Sequence, residues 1–104
     1  MQKVHLCSVD DLSDGEVKSF TAGREKIALV RIGGQFYAVG DTCSHANYSL
    51  SEGEVYTEEH SIECWKHGST FSLATGMAKN LPATRPVPVY PVEVDGSDVS
   101  VVLP

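Results

Sequence analysis

Apolar and polar residues alternate along much of the chain, with a period of two that is typical of β-strands. The run Val4–Val9 is the first such segment, and no stretch of helical length repeats its apolar residues every three to four positions. The sequence therefore predicts an all-β domain. The strands that we expect are Val4–Val9, Glu16–Thr21, Lys26–Ile32, Gln35–Val39, Glu54–Thr57, Ser61–Glu63, Thr70–Leu73, Val87–Val94 and Val99–Leu103.

Two short segments predict hairpin turns between consecutive strands. Gly33 and Gly34 supply the positive φ angles that a tight primed turn requires. Asp95–Asp98, with glycine at its second position, lies between the last two predicted strands. We therefore expect these strand pairs to be antiparallel neighbours.

The β pattern weakens in the middle of the chain, from Gly40 to about Pro82. Short β-like pieces are separated there by loop residues. One domain over 1–104 is the simplest organisation, since this length leaves no room for a second domain of comparable size. We expect a β-sandwich or barrel base at about 1–40 and 84–104, with a loop-rich insertion at about 41–83.

The net charge and the apolar content exclude several kinds of partner. A formal charge of −6 argues against nucleic acid, because phosphate binding needs clustered Lys and Arg, and against anionic membrane surfaces. The first residues, Met1–Asp10, lack the apolar core of a signal peptide. No run approaches the roughly 18 apolar residues of a membrane-spanning helix. We expect a soluble, cytoplasmic protein that binds neither nucleic acid nor membrane.

The three cysteines favour metal binding over a disulfide framework, because their number is odd and no signal peptide precedes them. Two of them lie in the predicted insertion, where Cys43 and His45 form a C-x-H motif and Cys64 and His67 form a C-x-x-H motif. Two thiolates and two imidazoles ligate either zinc or a Rieske-type [2Fe–2S] cluster. C-x-H is an uncommon start for a zinc site, which usually begins C-x2–4-C.

The segments Cys43–His45 and Cys64–Phe71 resemble the two cluster-binding boxes of the Rieske family. Gly76 and the segment Pro82–Pro86, which we expect to be a stiff surface loop, resemble the family's proline loop. The best match among its subfamilies is the small ferredoxin of bacterial aromatic-ring dioxygenases. The resemblance implies a Rieske-type β-sandwich with a small loop-rich subdomain that binds one [2Fe–2S] cluster.

The same resemblance implies the ligand set and the function. Cys43 and Cys64 would bind the buried iron, and His45 and His67 the outer iron near the surface. Such a carrier takes electrons from a flavin-dependent ferredoxin reductase that oxidises NADH or NADPH, and passes them singly to a terminal Rieske oxygenase. The chain lacks a G-x-G-x-x-G nucleotide motif and is too short for a mononuclear iron domain, so we expect an electron carrier rather than an enzyme.

Three alternatives stay open at this point. Closely similar ferredoxins occur beside sulfur-mobilisation (SUF) genes, so the protein could serve iron–sulfur cluster assembly with the same chemistry. A non-redox zinc module is the second alternative. The third is a redox sensor that signals through the oxidation state of its cluster.

Departures from the respiratory type of Rieske protein indicate a low reduction potential. Tyr48 and Lys66 stand where that type has two further cysteines, so a disulfide across the cluster cannot form. Ser69 matches a serine whose hydroxyl donates to sulfur, but Phe71 replaces the tyrosine that would do the same. Hydrogen bonds to sulfur raise the potential. We expect a value near the low end of the Rieske range, on the order of −150 mV.

The residues around the second motif suggest how the protein meets its partners. Trp65, between two predicted ligands, would shield the cluster from water or line the docking surface. No Lys or Arg occurs between 46 and 63, so negative charge there would disfavour reduction and could steer a basic partner, or simply form a solvated face. The five glutamates of this stretch are Glu52, Glu54, Glu58, Glu59 and Glu63.

Overall fold

The computed structural model describes residues 2–41, 49–65, 68–79 and 86–103. Within these ranges the chain forms strands and two short 3-10 helices, at Val9–Asp11 and Leu50–Glu52, which confirms the all-β prediction. No helix in the same ranges is long and apolar enough to cross a membrane. The strands are β1 (Gln2–Ser8), β2 (Val17–Ala22), β3 (Glu25–Ile32), β4 (Gln35–Gly40), β5 (Val55–Tyr56), β6 (Ser61–Glu63), β7 (Thr70–Ser72), β8 (Val89–Tyr90), β9 (Val92–Asp95) and β10 (Asp98–Leu103).

These strands form three antiparallel sheets. The outer sheet has the order β1-β10-β9, the central sheet β2-β3-β4-β8 and the small sheet β5-β6-β7. Both predicted hairpins are confirmed: Ile32 pairs with Gln35 across the two glycines, and Asp98 pairs with Asp95. Gly33 has a φ of 62°, whereas Gly34 does not have a positive φ, so only the first of the two glycines supplies the angle that the sequence predicts for both.

The prediction of one strand over Val87–Val94 is wrong, because Pro91 divides it. The chain before Pro91 pairs with β4 in the central sheet, and the chain after it pairs with β10 in the outer sheet. Proline has no N–H to donate to a strand ladder. Its carbonyl still accepts a hydrogen bond of 2.9 Å from the Val102 amide, which ties the crossover to the outer sheet.

The central sheet is buried on both faces, so it lies between two hydrophobic cores. Successive side chains of a strand point to opposite faces, and Ile27, Ala28, Leu29 and Val30 of β3 are all fully buried. The core shared with the outer sheet contains Cys7, Leu12, Ala22, Ile27, Leu29, Ala38, Tyr90, Val99, Val101 and Leu103. The core shared with the small sheet contains Ala28, Val30, Val39, Leu50, Ile62, Cys64, Phe71, Leu73 and Val87.

The small sheet lies within 41–83, the range in which the sequence predicts an insertion. Its strands are two or three residues long, and a three-stranded sheet this short needs packing against another layer to be stable. That layer is the central sheet, with which it shares one core. The boundaries between base and insertion stay a prediction.

Gly53, which follows the 3-10 helix Leu50–Glu52, allows the chain to approach the end of β6 closely. Its φ of −88° is one that any residue adopts, so its importance is the absence of a side chain. A Cβ at this position would overlap the carbonyl oxygen of Glu63 and lie 3.3 Å from that of Leu50. The end of β6 therefore packs directly on the backbone of Gly53.

We expect Gly53→Ala to lower the free energy of unfolding by about 1–3 kcal/mol, because the new methyl group forces the end of β6 away from residue 53. Urea titration followed by circular dichroism measures this change. Gly34→Ala is the matched control, since a Cβ at Gly34 meets nothing within 4 Å. Equal stability of the two variants would show that the close approach at Gly53 is unimportant.

Candidate metal centre

The described residues include one of the four predicted ligands, Cys64. The other three, Cys43, His45 and His67, lie outside the described residues, and so do Tyr48 and Lys66. The ligand set therefore stays a prediction. The structure instead describes the surroundings of Cys64 and the residues on either side of the segments that contain the other three predicted ligands.

Cys64 follows β6 and begins a tight turn. Its amide donates a hydrogen bond of 2.7 Å to the carbonyl of Ser69, and its own carbonyl accepts one of 3.0 Å from the amide of Gly68. Gly68 has a φ of 77°, in the left-handed region that glycine adopts without strain. These two hydrogen bonds connect Cys64, directly after β6, to Gly68 and Ser69, which precede β7.

The position of the Cys64 side chain fits a ligand of a buried metal. Its backbone groups are both bonded within the turn, and its side chain is fully buried in the core that contains Ile62 and Phe71. An apolar shell around a metal–sulfur centre excludes water and controls the local dielectric. A buried thiol in a C-x-x-H motif therefore suits the cysteine side of a mixed cysteine and histidine centre.

Cys7 differs from Cys64 in position and chemistry. It lies in β1 and packs in the outer core, where it is 6 % exposed. Burial raises the pKa of the Cys7 thiol, and the negative charge of Asp11 raises it further. The neutral thiol is favoured, so Cys7 is a small core residue rather than a ligand.

The chain turns from the core to the surface immediately after Cys64. Trp65 is 49 % exposed, although the residue before it is fully buried. Met77, after β7, is another large apolar residue at the surface. An indole beside two predicted ligands thus presents apolar area at the surface.

The surface beside this turn is acidic, as the sequence indicates. The glutamates of 52–63 are exposed or partly exposed. Partial burial raises the pKa of Tyr56, and the hydrogen bond to Glu63 and the charges of Glu63, Glu54 and Glu59 raise it further. Negative charge is therefore concentrated on the segment 52–63, which ends at the residue before Cys64.

Ser69 and Phe71, which bear on the reduction potential, are both fully buried. Phe71 shares a core with Cys64, pairs with Ile62 across β6 and β7 and forms an isolated bridge with Ala78. It has no hydroxyl to donate. The structure thus places an apolar ring in the core that surrounds Cys64.

The predicted proline loop has one described member, Pro86, which is exposed. The chain next to it is held against Gly76: the Val87 amide donates a hydrogen bond of 2.8 Å to the Gly76 carbonyl. Gly76 has a φ of 76°, and a Cβ there would overlap the Val87 carbonyl oxygen. Glycine is therefore required where the segment after the loop joins the small sheet.

Two residues that matter to this region were missed from the sequence. Asp41, at the end of β4 and before Cys43, is 2 % exposed, and Gly53 sets the approach to β6. An acidic residue directly after a strongly apolar strand was the available signal for Asp41. The sequence held no signal for Gly53, because its neighbour Glu63 is brought to it by folding.

Comparison with known proteins agrees with this description. A family model for the Rieske [2Fe-2S] domain matches residues 2–91. The 3-phenylpropionate/cinnamic acid dioxygenase ferredoxin subunit of Shigella boydii serotype 4 (strain Sb227) is 43 % identical over 104 residues, which is all of this chain and 96 % of the relative.

Solved structures give the same result. The ferredoxin of carbazole 1,9a-dioxygenase from Nocardioides aromaticivorans IC177 is 34 % identical, with 97 % of each chain covered and a TM-score of 0.94. A chain from the complex of reduced oxygenase and oxidized ferredoxin in carbazole 1,9a-dioxygenase is 38 % identical, with 95 % of this chain and 91 % of that chain covered and a TM-score of 0.89. This chain therefore belongs to the Rieske [2Fe–2S] domain family.

Proposed function

We propose that this protein is the ferredoxin component of an aromatic-ring dioxygenase system. It accepts one electron at a time from an NAD(P)H-dependent flavin reductase in the cytoplasm and delivers it to a terminal non-haem iron oxygenase. The observation that carries this proposal is the 43 % identity, over the whole chain, to a dioxygenase ferredoxin subunit. It also favours ring hydroxylation over the alternative of iron–sulfur cluster assembly. The bound cluster supplies reversible one-electron chemistry, and the protein is a carrier rather than a catalyst.

The proposed site holds one [2Fe–2S] cluster, bound by Cys43, His45, Cys64 and His67 in the segment at about 41–83. The full burial of Cys64 and the hydrogen bonds that connect it to Gly68 and Ser69 support this ligand set. Two sulfur donors and two imidazole donors in paired short motifs also match the requirement of a Rieske cluster for facing loops.

The proposed docking surface for the redox partners is centred on Trp65. Aromatic residues dominate the energetics of many interfaces because they bury a large area at a small entropic cost. Electron-transfer complexes are small and transient, so one half-exposed indole is a substantial part of the contact. The acidic residues beside it favour a partner with a basic face.

Replacing a ligand should abolish the cluster. We expect Cys43→Ser, Cys64→Ser, His45→Ala and His67→Ala each to lose iron, acid-labile sulfide and the visible absorption of the purified protein. Cys7→Ala is a matched control, because Cys7 is free and buried in the outer core.

The matched histidine control for these variants is His5→Ala. His5 lies on the outer sheet, where its Nε2 is 3.3 Å from Oδ1 of Asp98. Both controls should keep two irons and two sulfides per chain. A colourless wild-type protein that contains one zinc would establish the alternative zinc module. An unchanged spectrum in either histidine ligand variant would refute the mixed ligand set.

Replacing Trp65 should weaken electron transfer without altering the cluster. We expect Trp65→Ser to lower the second-order rate of electron transfer by about tenfold or more, the effect of losing an interfacial aromatic anchor. Stopped-flow absorbance measures this rate. The electron acceptor is the terminal oxygenase, among the candidate dioxygenase systems, that the wild-type protein reduces fastest. Val94→Ser is the control, since Val94 is also 49 % exposed but lies on β9. Equal rates for the two variants would place the contact elsewhere.

Adding a hydroxyl at Phe71 should raise the midpoint potential, because a phenol that donates to a ligand sulfur stabilises the more negative reduced state. Protein-film voltammetry of Phe71→Tyr and of the control Phe36→Tyr, whose ring packs against the outer core, measures the difference. An unchanged potential together with lower stability would mean that the new hydroxyl is buried without a partner.

A further inference from the structure

Asp41 is a buried acidic residue for which the proposed electron-transfer chemistry provides no role. It is 2 % exposed and lies between the last residue of β4 and the segment 42–48. That segment contains Cys43 and His45, two of the four proposed ligands. A buried carboxylate is costly unless its oxygens are hydrogen-bonded, so its partners indicate what it does.

Asp41 holds the chain on both sides of 42–48. Its carbonyl oxygen accepts a hydrogen bond of 2.6 Å from the Leu50 amide, and its Oδ1 accepts one of 2.9 Å from the Ser51 amide. The chain leaves the central sheet at Asp41 and returns to the same residue in the next 3-10 helix. One residue therefore fixes where the ligand-bearing segment begins and where it ends.

The base of the molecule holds Asp41 in turn. Its amide donates to the carbonyl of Lys26 at 3.0 Å, and its Oδ2 accepts a hydrogen bond of 3.2 Å from Ser19 Oγ. Ser19 is on β2, and Lys26 is on β3. The Asp41 carboxylate thus joins Ser19 of β2 to Ser51, and the Asp41 backbone adds the contacts with Lys26 of β3 and with Leu50.

Further backbone contacts connect the 3-10 helix that Asp41 holds to the residue before Cys64. The Gly53 amide donates to the Leu50 carbonyl at 2.9 Å, and the Glu63 amide donates to the Glu54 carbonyl at 2.8 Å. Gly53 also packs against the Glu63 carbonyl, which precedes Cys64. The described residues that follow 42–48 are therefore connected to the residue before Cys64 through the short helix that Asp41 anchors.

From this geometry we infer that Asp41 is a positioning residue: its hydrogen bonds hold the segment that carries Cys43 and His45 at a fixed distance from the turn that carries Cys64 and His67. The inference rests on the proposed four-ligand cluster. Its consequence is that the loss of these hydrogen bonds loosens the ligand geometry and speeds the loss of iron, even where the fold survives.

The test compares Asp41→Ala with Asp41→Asn. The alanine removes both side-chain acceptors, whereas the asparagine keeps an oxygen for the Ser51 amide and an N–H for Ser19 Oγ. We expect Asp41→Ala to release iron to a chelator about tenfold faster than the wild type, with broadened EPR lines in the reduced protein. Asp41→Asn should largely restore both properties.

A second pair of variants decides the matter if Asp41→Ala fails to fold. Ser19→Ala and Tyr90→Phe each remove one hydrogen bond of 3.2 Å, the first to Asp41 Oδ2 and the second to Glu25 Oε2. Tyr90 lies in the core shared with the outer sheet, away from the small sheet. We expect Ser19→Ala to speed iron release and to change the EPR line shape, and Tyr90→Phe to do neither.

Three results would overturn the inference: iron release from Asp41→Ala at the wild-type rate, equal effects of Ser19→Ala and Tyr90→Phe, or equal loss of iron from Asp41→Asn and Asp41→Ala. The last would mean that the charge matters and the hydrogen bonds do not. A wild-type protein without iron and sulfide would instead refute the proposed cluster, which is a different result.

Discussion

The burial of Cys64 is the constraint on which the rest of the structure depends. In the proposed site, the Cys64 thiol is to be enclosed by apolar residues, which exclude water, while the chain beside it reaches the surface. The turn after β6 meets both conditions, because Cys64 is fully buried and Trp65, the next residue, is half exposed. In the proposed function, the first condition protects the cluster and the second brings it within reach of a partner.

The central sheet makes this burial possible. Strands as short as β5, β6 and β7 cannot form a core alone, and the apolar residues on one face of β3 supply the missing layer. The other face of β3 packs against the outer sheet, so the central sheet is itself stabilised by a second core. The residues of this region that lie outside the shared core therefore form turns, close backbone contacts and an acidic surface.

Local signals explain which features could be predicted from the sequence. The hairpin at Gly33-Gly34 and most strands depend on neighbouring residues, and the proposed ligands were found from the short spacing within each motif. The strand predicted over Val87–Val94 is too long because Pro91, which lies within it, has no N–H to continue the pairing. Asp41 was missed for a different reason: Ser19 and Ser51, its side-chain partners, are distant in sequence and meet it only in the folded chain.

The most direct test of the account is pulsed EPR of the dithionite-reduced protein, with histidine labelled with ¹⁵N. The proposed ligand set predicts two strongly coupled imidazole nitrogens whose modulation frequencies change with the label. A reduced cluster without histidine nitrogen coupling would mean cysteine-only ligation, and a protein without an EPR signal that holds zinc would have no redox centre. Either result would contradict the proposal that His45 and His67 bind one iron of a cluster that Cys43 and Cys64 complete.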